Sequence, residues 1–517
     1  MRNNRLFAAL VAFAFACLPV AAQELPRLSR DGDGPPTLIV DGEPFLVLGG
    51  ELGNSSASDI AYMDEIWPAL DALGLNTIIA PVYWELIEPQ EGEFDFTLVD
   101  ALLNRARAHD QRLVLLWFGS WKNLMSSYAP AWVKRDTQRF PRAQTLDGET
   151  HELLTPFSEN NLEADKKAFA ALMAYLAKAD RKNRTVIMVQ VENEIGMLKN
   201  PRDHGALANA AYTAPVPQSL IDALAERPGA LAEDLVAAWK ANGEKTSGSW
   251  AEVLGGDARG QEIFMAWSFA RYVEEIARAG KSQYDIPVYV NAALYRPGTE
   301  PGEYPSAGPL PHLKDLWEIG APSIDFLAPD IYFPNFVYWM NRYVWPGNML
   351  FIPEAHHAGA AEAPANALYV FGELDAMGFS PFSIESIDDP ETSSLKDAYA
   401  LLKELAPLIL AHRGKETMKG LRAPVSFEGE ADLAPQSFDM GEYRIEATFI
   451  DPWIAREEQA PETHGAIIIQ LSNEEFLFAG AGVTFTFGTM GDDRAGIERA
   501  DEGRYDNGVW KPGRRMN

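Results

Sequence analysis

The stretch TVIMVQVENEIG, residues 185–196, decides the fold. Residues 186–191 are apolar except for Gln190, a pattern typical of a strand buried on both faces of a parallel sheet. Three polar residues, Glu-Asn-Glu at 192–194, follow where this strand would leave the core. In a (β/α)8 barrel, polar residues at the C-terminal end of a strand line the active site. The stretch therefore predicts a barrel strand that carries part of such a site.

A second run of the same kind lies far downstream, where residues 349–353 are apolar and Glu354 follows. Two carboxylates, Glu194 and Glu354, at the ends of separate strands are the minimum set for glycoside hydrolysis. Most glutamates lie on protein surfaces, so the alternative is that both are solvated loop residues. Their paired placement at strand ends favours the catalytic interpretation.

Eight strand-like segments separated by helical ones predict an α/β fold, a (β/α)8 TIM barrel. The first ends at Gly49-Gly50-Glu51 and follows a hairpin arm at 37–40, and the sixth leads into Asp330 and Tyr332. The predicted strands are 45–48, 75–82, 112–117, 185–191, 288–290, 324–327, 350–353 and 379–384. The predicted helices include 58–73, with Ser58 as its N-cap, and 162–182, 262–279, 361–377 and 395–411.

The chain of 517 residues is long enough for a large barrel and one accessory domain. We expect a catalytic domain at 23–413, with an insertion of helical patches at about 200–260. Short alternating runs separated by Gly, Asp and Asn turns predict a smaller all-β, sandwich-like domain at 414–517. No closing strand is evident before the chain stops, so this domain is either incomplete or finishes in a loop.

The first 22 residues have the pattern of a signal peptide. Arg2 and Arg5 precede an apolar run at 6–15, and Val-Ala-Ala at 20–22 is a small-residue cleavage site. We expect an exported, periplasmic or extracellular protein that begins at Gln23. Cys17, the only cysteine, lies inside this segment, so the mature chain has no disulfide. Lipidation of Cys17 is the alternative to cleavage at Ala22.

The formal net charge of −30 repels nucleic acid and anionic membranes and suits a neutral substrate. No later segment is apolar for long enough to span a bilayer. The adjacent His356 and His357 have no HExxH motif or ligand cluster near them, so we expect no metal. No P-loop, Rossmann fingerprint or Gly-x-Ser-x-Gly motif is present, and we expect no cofactor.

The VENEIG segment at 191–196 resembles the acid/base motif of the retaining β-galactosidases of glycoside hydrolase family 35. The FIPEAHH segment at 351–357 is similar to the segment that holds the nucleophile of that family. The resemblance runs from about residue 37 to about residue 411. It implies that Glu194 is the acid/base, Glu354 the nucleophile and Asn193 a ligand of the sugar 2-hydroxyl.

The chain departs from this family where the sugar would be bound. Glu85 after Trp84 replaces the usual Asn, Ser120 stands where a Glu commonly binds galactose, and His356 stands where a Tyr is frequent. These departures leave the chemistry intact and the sugar specificity open. Lys122 or Asn123 would take over from Ser120, and the other candidate substrate-binding residues are Trp84, Glu85, Trp117, Trp121, Asn291, Tyr332, His356 and Glu385.

Glu192 lies two residues from Glu194 and shares its face if the strand is regular. We interpret it as a structural partner of neighbouring strands, with a direct role as the alternative.

The sequence thus predicts a retaining exo-β-glycosidase, in the first place a β-galactosidase that releases terminal galactose from oligo- or polysaccharide side chains. The alternatives are a glycosidase of the same clan for another pyranose and a non-catalytic carbohydrate-binding barrel. The expected partner is a carbohydrate, and the sequence does not report the linkage, the aglycone or the oligomeric state.

Overall fold

A computed structural model describes residues 24–30, 34–491, 493–506 and 508–516. The predicted signal segment at 1–22, with Cys17 and the expected new N-terminus at Gln23, lies outside the described residues. Among the helices of the described part, none combines the length and the apolar character needed to cross a membrane.

Strands occur throughout the described part of the chain. In chain order they are β1 (Arg27–Ser29), β2 (Thr37–Val40), β3 (Glu43–Pro44), β4 (Val47–Glu51), β5 (Thr77–Tyr83), β6 (Arg112–Lys122), β7 (Arg142–Gln144), β8 (Thr150–Leu154), β9 (Val186–Asn193), β10 (Val288–Ala293), β11 (Phe326–Ile331), β12 (Phe351–Ala355), β13 (Gly378–Pro381), β14 (Met418–Arg422), β15 (Gln436–Met440), β16 (Tyr443–Thr448), β17 (Gly465–Gln470), β18 (Phe476–Ala481), β19 (Thr484–Thr489), β20 (Arg494–Ala495), β21 (Ala500–Asp506) and β22 (Val509–Met516).

The α-helices of the same residues alternate with the strands in the first four-fifths of the chain. They are α1 (Ile60–Ala72), α2 (Trp84–Ile87), α3 (Thr97–Ala108), α4 (Ala131–Arg135), α5 (Glu159–Ala179), α6 (Ala206–Thr213), α7 (Gln218–Glu226), α8 (Glu233–Ala241), α9 (Trp250–Leu254), α10 (Ala258–Lys281), α11 (Lys314–Gly320), α12 (Phe336–Asn341), α13 (Ala363–Glu373) and α14 (Ser394–His412).

Strands β4, β5, β6, β9, β10, β11, β12 and β13 form a closed barrel, and every neighbouring pair is parallel. The predicted (β/α)8 barrel is therefore confirmed. All residues of β5 and β9 are buried, as expected for strands enclosed by barrel interior and helices. Because the strands are parallel, their C-terminal ends meet on one face, and the polar residues there converge.

Several predicted bounds were wrong. The hairpin arm after β2 is the short β3, and the first barrel strand begins two residues later than expected, at Val47. Helix α1 is capped by Asp59 rather than Ser58, because the Asp59 carboxylate accepts a hydrogen bond from the Tyr62 amide at 2.8 Å.

The third barrel strand is the largest difference, since β6 runs to Lys122 instead of ending at Trp117. Its pairing with β9 is irregular between Trp117 and Lys122. Within that irregular stretch the amide of Ser120 donates to Asp165 at 3.0 Å and the amide of Trp121 donates to Glu192 at 2.7 Å. Buried carboxylates thus replace the missing ladder partners, and the strand continues.

The insertion at 200–260 is helical as predicted and contains α6 to α9. Its described residues enter β pairing only through an isolated bridge between Pro215 and Ser249. A second bridge, between Met197 and Ser306, ties the loop after β9 to the loop after β10. These additions lie on the face where the barrel strands end.

The C-terminal region is all-β, as predicted. Sheet β14-β17-β18 packs on helix α13, where Gly420 approaches the helix so closely that a Cβ on it would lie 2.5 Å from the Tyr369 carbonyl. A small core that includes Met440, Ile445 and Ile468 joins this sheet to β15-β16-β19-β20. The described residues end in a hairpin of β21 and β22 and not in a loop. The domain boundary at 413/414 stays a prediction.

Gly119 generates the first testable prediction. A Cβ on this residue would lie 2.2 Å from Trp117 Nε1 and 2.8 Å from both the Asp165 and the Glu192 carboxylates. We expect Gly119→Ala to lower the free energy of unfolding by about 1–3 kcal/mol, as overpacking of a buried site does. Gly229→Ala is the control, because nothing lies within 4 Å of its added Cβ. Equal urea midpoints for the two variants would contradict the close packing of β6.

Candidate active site

The structure brings Glu194 and Glu354 together. Glu354 lies in β12 and Glu194 directly follows β9, and both are nearly buried, with 3% and 6% of their surface exposed. One carboxylate oxygen of each, and one of Asp330, lie within 4.8 Å of one another. The strand ends therefore place two carboxylates at the distance over which they can act on one bond.

Burial and the charge of Glu354 favour the protonated form of Glu194. Its backbone amide donates to Asn291 Oδ1 at 3.0 Å, and Asn123 Nδ2 donates to its carboxylate. Burial, followed by the negative charge of Glu354, raises the pKa of Glu194 to about 7, while Lys122 acts in the opposite direction. A carboxyl group of this kind can donate a proton near neutral pH.

Glu354 is held by a neighbouring strand end. The Tyr332 hydroxyl, just after β11, donates to Glu354 Oε1, whereas the buried Oε2 has no hydrogen-bond partner. The register between β12 and β13 shifts between Ile352 and Ala355, on either side of Glu354. Such an irregularity redirects a side chain at a barrel rim.

Two carboxyl groups of the site have no role in the sequence-based prediction. Glu51 ends β4 and Asp330 lies in β11, and each is only 1% exposed. Burial first, and then Glu354, raise the pKa of both well above the usual range. The available signal was their position at the ends of the first and sixth predicted strands, the same signal that identified Glu194.

Lys122 faces these carboxyl groups. It is the last residue of β6, pairs in register with Asn193 and is 4% exposed. Its charge lowers the pKa of Glu51, Glu194 and Asp330 against the effect of burial. Lys122 therefore lies in the site, although on a strand rather than on the expected loop.

Asn193 and Asn291 also lie at the site. Asn291 Nδ2 donates to Asp330 while its Oδ1 accepts from Glu194, so this side chain links two of the acidic residues. Asn193 is fully buried, and neither its Oδ1 nor its Nδ2 has a partner within the described residues. Buried amides without partners are costly, and an incoming ligand can satisfy them.

Trp117, Ser120 and Trp121 lie under the site and not in it, which corrects their expected contact with substrate. All three are fully buried because β6 continues past Trp117. Trp117 Nε1 donates to Asp165 at 2.8 Å, Ser120 Oγ bonds the Tyr272 hydroxyl at 2.8 Å, and Trp121 Nε1 donates to the Leu154 carbonyl at 3.0 Å. Their polar atoms are used within the protein.

The expected contact of Trp84 with substrate is corrected in the same way, since Trp84 is fully buried and its Nε1 donates to Glu88 at 2.9 Å. Glu85 is partly exposed and pairs with Lys134 at 2.9 Å.

Glu385 and His356 lie on the strand-end face, each with a protein partner. The Glu385 carboxylate accepts from the Gly53 amide at 2.9 Å and from the Ser56 hydroxyl, so it holds the loop after β4. His356 Nδ1 lies 3.0 Å from Glu362, which raises the pKa of the half-exposed imidazole.

Glu192 acts as the expected structural partner. Its Oε2 accepts from the Trp121 amide of β6, and its other oxygen faces Asp165 of α5. Burial and the Asp165 charge raise the pKa of Glu192 well above the usual range. Glu192 of β9 thereby contacts both β6 and α5 beneath the site.

Among the described residues, Glu194, Asp330 and Glu354 form the acidic group compact enough to surround a metal ion. His356 and His357 are not part of it, since they bond Glu362 and Ser386. Acidic residues in this arrangement have a use in glycoside hydrolysis that requires no metal.

Two family models match the chain. One, for glycoside hydrolase family 42 and described as "Beta-galactosidase", matches residues 59–253, and the other, a domain of unknown function, DUF5597, matches residues 395–517. The barrel match thus concerns family 42, and the resemblance to family 35 is not confirmed.

Two curated relatives are similar to parts of the chain. It is 28% identical to a β-galactosidase of Xanthomonas manihotis over 227 residues, 40% of this chain and 33% of that protein. It is also 28% identical to β-galactosidase-1-like protein 3 of Homo sapiens over 179 residues, 34% of this chain and 25% of that protein. The chain thus covers about a third and about a quarter of these relatives.

A solved β-galactosidase from Bacillus circulans sp. alkalophilus has a TM-score of 0.48 and 16% identity over 71% of this chain and 57% of its own. Together with the paired glutamates, the family and relative matches support a glycosidase enzyme.

The buried position of Trp121 gives the second prediction. We expect Trp121→Ala to lower the free energy of unfolding by about 3–5 kcal/mol, because it leaves a cavity in the layer beneath the site. Trp453→Ala is the control, since the Trp453 side chain is 93% exposed and its loss should change stability by less than about 0.5 kcal/mol. Thermal and urea unfolding measure both. A Trp121→Ala protein as stable as the wild type would show that this residue is not a packing element.

Proposed function

We propose that the protein is a retaining exo-β-glycosidase that releases a terminal β-galactose from oligo- or polysaccharide side chains. The observation that carries the proposal is the pair Glu194 and Glu354, with oxygens within 4.8 Å of each other. Retaining glycosidases hold their two carboxyl groups about 5–5.5 Å apart, and inverting enzymes about 6.5–9.5 Å apart to admit a water molecule. The short separation favours double displacement.

In the first step, the Glu354 carboxylate attacks the anomeric carbon and Glu194 protonates the glycosidic oxygen that leaves. A pKa of about 7 supports this role for Glu194, since a substantial fraction of the group still carries its proton in neutral solution. The Tyr332 hydroxyl orients the attacking carboxylate through Oε1.

In the second step, Glu194, now ionised, takes a proton from water, and the resulting hydroxide displaces the sugar from Glu354. The positive charge of Lys122 faces the site in both steps. The unpartnered amide of Asn193 is suited to hydrogen-bond the sugar 2-hydroxyl, an interaction that strengthens in the transition state.

The choice of β-galactose rests on the names of the matched family and relatives. The second candidate is a glycosidase for another pyranose. It is favoured by Ser120, which stands where family 35 commonly has a galactose-binding Glu but is buried against Tyr272. We further propose that the enzyme is exported, on the pattern of residues 1–22.

The third prediction tests the function. A screen of nitrophenyl glycosides with the chain from residue 23 should show turnover of the β-galactoside, and turnover of a different β-glycoside alone would favour the second candidate. Glu354→Gly should abolish turnover, and azide should restore it with a glycosyl azide of the opposite anomeric configuration, because the small anion replaces the missing carboxylate.

Glu385→Gly is the control for this experiment, since Glu385 is a second acidic residue on the same barrel face that binds Gly53 and Ser56. Azide should not increase its activity. Rescue of Glu385→Gly with none for Glu354→Gly would exclude Glu354 as the nucleophile, and a wild type inactive on every β-glycoside would exclude the proposed activity.

The fourth prediction concerns pH. Because the proton of Glu194 is needed for the first step, kcat/KM should fall as the pH rises through about 7. Lys122 lowers the pKa of Glu194, so Lys122→Met should move this alkaline limb to higher pH, whatever its effect on the maximal rate. Lys134→Met removes the same charge from the pair with Glu85 and should leave the limb in place. An unmoved limb in Lys122→Met would contradict the assignment of Glu194.

A further inference from the structure

Glu51 contributes a carboxyl group to the site that the two-step reaction above does not use. It ends β4, is 1% exposed and contacts the carboxyl group of Glu354. Glu51 Oε1 and Glu354 Oε2 are both buried, and neither has a hydrogen-bond donor within the described residues. Two ionised carboxylates can only accept hydrogen bonds, so the contact requires a proton on one of them.

We infer that Glu51 is a positioning residue for Glu354. Glu51 remains protonated in the working enzyme and donates a hydrogen bond to the Glu354 carboxylate. The inference rests on the proposed role of Glu354 as nucleophile. The proton belongs to Glu51 because the reaction needs Glu354 ionised.

The charges around Glu51 agree with this assignment. It faces Glu354, Glu194 and Asp330, with Lys122 as the basic group opposite them in the described part of the chain. The hydroxyls of Tyr289 and Tyr332 complete the set of titratable groups around it. If Glu354 alone is ionised among the four acids, its charge is balanced by Lys122, and no unpaired charge is buried.

Asp330 is the other acid that could hold this proton. However, Asn291 Nδ2 already donates to its Oδ2, while its buried Oδ1, like Glu51 Oε1, has no hydrogen-bond partner within the described residues. Glu51 makes a hydrogen-bonding contact with the carboxyl group of Glu354, whose Oε2 has no donor within the described residues. Geometry therefore favours Glu51 as the donor.

A donor from Glu51 would complete the support of the nucleophile. Tyr332 binds Oε1, and Glu51 would bind the other oxygen, so the plane of the carboxylate is fixed from two strands. Both hydrogen bonds stabilise the negative charge that returns to Glu354 when the glycosyl–enzyme is hydrolysed. Glu51 does not contact the reacting carbon in this arrangement and acts through Glu354.

The fifth prediction compares Glu51→Gln with Glu51→Ala in the full chain, using the pH profile of kcat/KM. Gln has the same shape and can donate from its amide but cannot ionise. We expect Glu51→Gln to stay within about tenfold of the wild type, with both limbs of the profile in place. We expect Glu51→Ala to lose about 10- to 100-fold, as loss of a hydrogen bond to a charged group does, and its acid limb to move to higher pH because Glu354 loses a donor.

Two results would overturn the inference. If Glu51 is ionised, Glu51→Gln removes a negative charge beside Glu354 and Glu194, and both limbs move to lower pH. If both variants lose the same activity with no movement of either limb, the role of Glu51 is purely structural. Because Gln is isosteric with Glu, the comparison of Glu51→Gln with the wild type remains valid even if Glu51→Ala fails to fold.

Glu88→Gln is the matched control, because Glu88 is as buried as Glu51 but bonds Trp84 and Gly92 and not the acidic residues of the site. Neither limb of the pH profile of kcat/KM should move in Glu88→Gln. Failure of the proposed function is distinguishable from failure of this inference: without azide rescue of Glu354→Gly the nucleophile assignment falls, whereas normal rescue with shifted limbs in Glu51→Gln removes only the role of Glu51.

Discussion

The site depends on the balance between several buried carboxyl groups and one ammonium group. Glu51, Glu194, Asp330 and Glu354 end four different strands, and Lys122 faces them from a fifth. Burial penalises every charge in this space, and mutual repulsion adds to the penalty, so most of the acids must hold their protons. In the proposed mechanism, this constraint produces a proton donor and an ionised nucleophile from the same type of side chain. It also makes the protonation of each group depend on the others, so the groups titrate as a set.

A second pair of acids supports the first from below. Glu192 and Asp165 accept hydrogen bonds from the backbone of β6 at Trp121 and Ser120, where the regular ladder with β9 is interrupted. They thereby carry β6 as far as Lys122, the residue on which the charge balance of the site depends. Trp117 and Trp121, which the sequence offered as candidate substrate-binding residues, belong to this supporting layer.

The sequence predicted the barrel well because each strand is a buried apolar run, and such runs are visible without knowledge of their neighbours. Glu194 and Glu354 were chosen as candidates for the same reason, since each lies just beyond such a run. The true end of β6 could not be predicted, because it depends on carboxylates from a helix and another strand. Glu51 and Asp330 occupied the right positions, but only the closed barrel shows that they converge on Glu354.

Chemistry and specificity therefore have different physical bases in this chain. The proposed reacting groups are placed by strand ends whose positions follow from closure of the barrel. Recognition of the sugar depends on what remains accessible around them, and Ser120, Trp117 and Trp121 do not. In the described part of the chain, Asn123 and Tyr332 are exposed side chains that hydrogen-bond the proposed catalytic groups, Glu194 and Glu354 respectively. Because both lie just beyond strand ends, variation in these two connections can change the preferred sugar without disturbing the carboxylates beneath.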